Sequence, residues 1–139
     1  MGQIKEPSPE LDGLAKSVID AAIEVHRQLG PGFLESVYEE ALAVELTVRE
    51  IPFERQKSVA VSYKGRVVGD GRIDLLVGGE LLVELKAVEA LAPIHKAQVI
   101  SYLKATSHQL GLLINFNVPV LRSGIQRVVL SLPQSEETA

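Results

Sequence analysis

Cysteine is absent from the sequence, so disulfides, thiolate zinc sites and cysteine nucleophiles are all excluded. No apolar run approaches the ~18 residues needed to span a membrane, which argues against a membrane partner. Residues 1–6 also lack the basic and apolar regions of a signal peptide. Together these absences predict a cytoplasmic protein.

Acidic residues are missing from residues 90–135, although the whole chain has a net charge of −4. This segment carries four bases: Lys96, Lys104, Arg122 and Arg127. Phosphate contacts depend on local rather than net charge, so the segment could face a nucleic acid. Scattered, solvated surface charges are the other interpretation.

The length and composition fit a single globular domain. The chain has 139 residues, of which 46% are hydrophobic and 23% charged, enough to bury a substantial core. Pro7 and Pro9, with little apolar content around them, predict a flexible leader over residues 1–10. The domain is then expected over residues 11–132, with a frayed tail over residues 133–139.

Helical periodicity is found in the first part of that domain. Apolar residues spaced by three and four predict a helix from Leu11 to Leu29, which Gly30-Pro31-Gly32 ends. A second helix is expected from Leu34 to Arg49. Its predicted apolar face consists of Val37, Ala41, Val44 and Val48.

The pattern then changes to the period of two that is typical of strands. Val59, Val61 and Tyr63 predict one face of a half-exposed strand. Further strands are expected over residues 67–77, 81–86, 111–116 and 125–130, with a helix over residues 93–106. The order α-α-β-β-β-α-β-β, with a buried strand reached through a helix, predicts an α/β fold whose mixed sheet is flanked by helices.

The strand Leu81–Lys86 carries charges within an apolar run. Glu84 and Lys86 share a face because side chains alternate along a strand. Counting outward from the Gly78-Gly79 turn places Asp74 opposite Glu84 to within one residue. Carboxylates so placed suit Mg²⁺ or Mn²⁺, and a lysine beside them could act on a water or a phosphoryl oxygen. The alternative is a cross-strand ion pair of Lys86 with either carboxylate.

The pattern Asp74…Glu84-Leu85-Lys86 resembles the signature of the PD-(D/E)xK nuclease superfamily, although Ile73 replaces the proline of that signature. Residues 32–38 look like the signature of the GxxExxY proteins, a bacterial and archaeal group assigned to that superfamily. The resemblance covers residues 11–130. Further matching segments are 22–26, 30–32, 84–87, 97–98, 101–104 and 111–116.

This resemblance implies a restriction-endonuclease-like fold and a metal-dependent nuclease that uses Mg²⁺ or Mn²⁺ on DNA or RNA. It implies that Asp74, Glu84 and Glu35 bind the metal and that Lys86 is the catalytic lysine. Gln98 would extend the catalytic set toward the phosphate. Because many nucleases of this fold pair to cut both strands, a homodimer is expected by analogy.

Three residues of the third helix are candidates for substrate binding. Tyr102, one turn after Gln98, could extend the site or simply pack the helix. His95 could contact a phosphate or be an exposed side chain of the first turn. Lys96 belongs to the positive segment.

Two other functions are compatible with the same residues. A non-catalytic binding module could retain the nuclease fold, in which case millimolar Mn²⁺ would not bind. A phosphohydrolase for small phosphoesters could use the same acids and lysine in a closed pocket.

Overall fold

Two helices come first in the part of the chain that the structure describes. The structure is a computed structural model that describes residues 6–130. Helix α1 spans Pro9–Leu29, and the Ser8 hydroxyl caps it by accepting the N–H of Leu11. Pro9 and Glu10 therefore belong to the helix and not to the predicted leader. Residues 1–5 and the predicted tail lie outside the described residues.

Helix α2 spans Glu35–Val48 and buries a different face from the one predicted. Its buried residues are Tyr38, Leu42, Ala43 and Leu46. Val44 and Val48 are 61% and 71% exposed, so the prediction of a buried valine face was wrong. Two apolar stripes compete on this helix, and the stripe with the larger side chains removes more apolar surface from water.

Within residues 6–130, five strands, one further helix and a short 3₁₀ turn at Leu121–Gly124 follow these two helices. The elements are β1 (Phe53–Tyr63), β2 (Arg66–Val77), β3 (Leu81–Lys86), α3 (Pro93–Thr106), β4 (Leu110–Asn115) and β5 (Ile125–Val129). The strands lie side by side in chain order. Among these five strands only β3 and β4 pair in parallel, because α3 connects them as a crossover. The predicted α/β fold with a mixed sheet is confirmed.

Helices cover both faces of the sheet. One cluster of buried residues joins α1 and α2 to the sheet, and a second joins α3 to the opposite face. Every residue of β4, and every residue of β3 before Lys86, is buried. The acidic side chain of β3 therefore lies inside the protein, which makes Glu84 unusual.

The β1–β2 hairpin extends past the rest of the sheet. β1 begins at Phe53 and pairs with β2 along almost its full length, whereas β2 pairs with β3 only through Leu75–Val77. Val59 packs under α3, but Val61 and Tyr63 are exposed. The predicted half-buried face is therefore wrong beyond Val59, because the hairpin leaves the layers that would cover it.

Candidate active site

The β2–β3 ladder ends where two acids face each other. Leu75–Val77 pairs with Leu81–Val83, and the next position of this register places Asp74 directly opposite Glu84. The Leu85 N–H donates to Asp74 Oδ2 at 2.8 Å, and the Asp74 N–H donates to Glu84 Oε2 at 3.0 Å. Each carboxylate thus accepts a backbone N–H of the facing strand, and the predicted position of Asp74 opposite Glu84 is found.

Burial disfavours the state in which both acids of this pair are ionised. Glu84 is 4% exposed, and burial, then the neighbouring Asp74 carboxylate, raises the pKa of Glu84 to about 8. Burial also raises the pKa of Asp74, against the lowering effect of the Leu85 hydrogen bond. A cation placed at the pair would relieve both effects.

Glu35 and Lys86 lie within electrostatic range of the pair. Burial and the Asp74 carboxylate raise the pKa of Glu35, and Lys86 acts in the opposite direction. Lys86 also lowers the pKa of Asp74 and of Glu84. Within residues 6–130, Lys86 forms no ion pair closer than 4.0 Å, so the alternative of a cross-strand ion pair is not observed.

The donor set suits a hard divalent cation. Among the described residues, no three acidic or histidine side chains converge as a ready-made metal cluster. Asp74 and Glu84 nevertheless supply carboxylate oxygens from facing positions of β2 and β3, and a bound cation would favour the ionised form of both. Mg²⁺ keeps several waters and commonly binds proteins through one or two carboxylates, so this pair fits its requirements.

Tyr38 holds the loop that leads into Glu35. Its hydroxyl donates to the Gly30 carbonyl at 2.6 Å and accepts the Phe33 N–H at 3.1 Å. Its ring stacks on Phe116, with centroids 4.5 Å apart and planes 9° from parallel. The Gly-x-x-Glu-x-x-Tyr spacing thus has a physical basis, since the tyrosine fixes the turn from which the glutamate starts α2.

Two residues near the site were missed by sequence reasoning. The Gln56 amide Nε2 donates to Glu39 Oε1 at 2.9 Å and to Asp74 Oδ1 at 3.4 Å. Glu39 lies one helical turn after Glu35, so the i, i+4 spacing on α2 was a usable signal for it. No sequence signal marks Gln56.

Three of the candidates, His95, Lys96 and Gln98, lie on the first turns of α3. His95 Nδ1 accepts the Ala92 N–H at 2.9 Å and so caps the start of the helix. Gln98 and Lys96 are exposed, and in the described part of the chain no hydrogen bond joins them to Asp74 or Glu84. Their part in substrate binding or catalysis stays a prediction.

Tyr102 packs α3 against β2. A Cβ atom built on Gly71 would lie 2.7 Å from the Tyr102 hydroxyl oxygen, so the ring rests directly on that glycine. The packing role that sequence reasoning offered for Tyr102 is observed. A role in substrate binding stays a prediction.

The fold and the site together define an α/β protein with an acid pair and a lysine at the end of its central strands. A family model of the PD-(D/E)XK nuclease superfamily matches residues 12–128, so the chain belongs to this superfamily. Its five-stranded mixed sheet is consistent with the restriction-endonuclease-like fold, and the membership indicates a nuclease. No curated protein matches the chain. Within residues 6–130 no helix is long and apolar enough to cross a membrane.

Proposed function

We propose that this protein is a metal-dependent nuclease of the GxxExxY type that hydrolyses phosphodiester bonds of DNA or RNA. The observation that carries the proposal is the direct pairing of Asp74 and Glu84 at the end of the β2–β3 ladder. A buried and a half-buried carboxylate, both with raised pKa values, are costly in a structural element. They are useful where a divalent cation must bind.

Asp74 and Glu84, with Glu35 approaching from α2, would hold Mg²⁺ or Mn²⁺. A bound ion of this kind would polarise a phosphoryl oxygen and lower the pKa of a coordinated water. The protein orients its own ligands, because the Leu85 N–H fixes Asp74 and the Asp74 N–H fixes Glu84. The Lys86 ammonium, which has no ion-pair partner within residues 6–130, would stabilise the negative charge that develops on the phosphate.

Four residues of α3 are proposed to act on the substrate. Gln98 would act near the phosphate, and Tyr102, His95 and Lys96 would bind the nucleic acid. A homodimer and a cytoplasmic location belong to the same proposal. Light scattering in solution tests the homodimer.

Cleavage of a panel of single- and double-stranded DNA and RNA, with Mg²⁺ or Mn²⁺, tests the function. We expect Asp74→Asn and Lys86→Ala to lower the rate by about 100-fold or more, since each removes charge from the reacting centre. Asp70→Asn and Lys64→Ala are the matched controls, because they make the same changes at exposed residues of the β1–β2 hairpin. The controls should cleave at the wild-type rate.

Undiminished cleavage by both site variants would refute the assignment. Calorimetric titration with Mn²⁺ separates the remaining functions. Absence of both metal binding and cleavage would indicate a binding module. Hydrolysis of a small phosphodiester, with nucleic acids left intact, would indicate a phosphohydrolase.

A further inference from the structure

Gln56 interrupts the β1–β2 ladder directly opposite Asp74. The flanking pairs are Arg55 with Leu75 and Lys57 with Ile73, and the position between them is not paired. Gln56 has φ of 52°, a left-handed conformation that a residue with a side chain adopts at an energetic cost. Such strain persists only where the surroundings impose it, and it concentrates at functional sites.

The break changes which way β2 faces. Ile73 packs in the cluster under α3, whereas Leu75, two residues later, packs in the cluster under α1 and α2. In a regular strand these two side chains would point to the same face. The strand therefore rotates at Asp74, between two well-packed neighbours, at the position opposite Gln56.

The Gln56 side chain joins two acids without adding a charge. Its Nε2 has two N–H groups, which donate to Glu39 Oε1 at 2.9 Å and to Asp74 Oδ1 at 3.4 Å. Asp74 Oδ2 is already held by the Leu85 N–H at 2.8 Å. Both oxygens of the Asp74 carboxylate are thus oriented by neutral donors, and its negative charge stays available.

Glu39 is itself fixed on α2. Arg55 Nε donates to Glu39 Oε2 at 3.0 Å, and Arg55 Nη2 donates to Glu40 at 2.8 Å. The Glu39 side chain is only 13% exposed. Gln56 is therefore hydrogen-bonded to a carboxylate, that of Glu39, whose position the ion pair with Arg55 already fixes. Through Gln56, the position of Asp74 is fixed relative to Glu39.

We infer that Gln56 is the positioning residue of Asp74, which it ties to Glu39 on α2 so that the carboxylate is oriented toward a divalent cation. The inference rests on the proposed function. A neutral amide suits the task better than lysine or arginine would, because a cation there would form an ion pair with Asp74 and compete with the metal. Hydrogen-bond partners of metal ligands typically contribute 10–100-fold to metal affinity or activity.

Gln56→Gly is the sharpest test, because glycine adopts the left-handed conformation freely while the amide is lost. Ser107→Gly is the matched control. Ser107 has φ of 58°, is exposed and ends α3 before the start of β4, whereas the acid pair lies toward the end of β3. Both variants should keep a thermal midpoint close to that of the wild type, because relief of the left-handed strain offsets the greater freedom that glycine gives the unfolded chain.

The two variants should differ in every functional readout. We expect Gln56→Gly to lower kcat by about 10-fold with KM little changed and to weaken Mn²⁺ binding, measured by calorimetry without nucleic acid, by about 10-fold. Ser107→Gly should match the wild type in both. Gln56→Asn, whose amide is one methylene shorter, should reproduce the loss.

Equal Mn²⁺ affinity and equal kcat in Gln56→Gly and Ser107→Gly would overturn the inference and leave the proposed function standing. Failure of both Gln56 variants to fold would overturn it as well, since the residue would then be structural. A wild-type protein that neither binds Mn²⁺ nor cleaves would overturn the proposed function and the inference together.

Discussion

Glu84 is a buried acid that faces another acid, Asp74, across the strand pair, and this makes stability depend on pH. Its pKa is raised to about 8 when folded, against an ordinary value of 4.5, and the pKa of Asp74 is raised in the same direction. Between pH 4.5 and about pH 8, Glu84 is protonated in the folded protein and ionised in the unfolded chain. The free energy of unfolding therefore falls as the pH rises from about 4.5 to about 8.

We predict that Glu84→Gln removes most of this fall, because glutamine keeps the shape of the side chain and cannot ionise. Urea unfolding from pH 5 to pH 9 with a chelator present measures the slope. Glu80→Gln, an exposed acid at the preceding turn, should keep the wild-type slope. A wild type whose stability rises over this range would contradict the prediction.

The residues of the site differ in how far sequence alone predicts them. Asp74 and Glu84 follow from strand alternation and from the position of a Gly-Gly turn, both of which are local rules. Gln56 could not be found in that way. Its left-handed φ is a conformation that glycine, asparagine or aspartate would signal, and its partners lie on other elements.

Among the helices and strands, the contact of α3 with β2 requires a residue without a side chain, Gly71, on β2. A methyl group at Gly71 would lie within 3.0 Å of three atoms of the Tyr102 side chain, the hydroxyl oxygen and two ring carbons. We predict that Gly71→Ala lowers the free energy of unfolding by about 1–3 kcal/mol, because the ring must move or the helix must shift. Gly69→Ala on the same strand is the control, since no atom lies within 4 Å of the added methyl group.

Denaturant unfolding of the two glycine variants measures the difference. Combining Gly71→Ala with Tyr102→Ala should show strong non-additivity, because the second change removes the clash that the first creates. Equal stability of the two single variants would show that α3 adjusts without cost.

The bounds of a helix or strand were predicted well wherever a strong local sequence signal marks its ends. β3 and α3 have the expected bounds, since a Gly-Gly turn precedes the strand and a proline opens the helix. The buried face of α2 was predicted wrongly, because Tyr38 and Leu42 compete with the valines at the same helical period. Which stripe is buried depends on the ring of Phe116 and other tertiary partners, which periodicity does not contain.

At the scale of the whole molecule, the bases of the positive C-terminal segment differ in whether they form an ion pair with an acid. Arg127 contacts Asp12 on α1 at 2.5 Å, whereas Lys96 and Lys104 on α3 are exposed and form no ion pair within residues 6–130. Only the unpaired bases are free to displace counterions from a phosphate backbone.

We predict that Lys104→Ala and Lys96→Ala each reduce the salt dependence of nucleic-acid binding by about one phosphate contact. Arg127→Ala should leave the dependence unchanged, because Asp12 already neutralises its charge. Fluorescence anisotropy of a labelled duplex, measured in chelator across a salt series, gives the slope. Identical slopes for all three variants would assign these bases to solvated surface.

The end of the β2–β3 ladder also gives the site its own spectroscopic probes. The amide protons of Asp74 and Leu85 are bonded to carboxylate oxygens instead of backbone carbonyls. Their NMR resonances therefore respond directly to any change in the charge of the two acids, whether a proton or a cation brings it about. Metal titration can be followed at two backbone positions of the unmodified protein, with no substrate present.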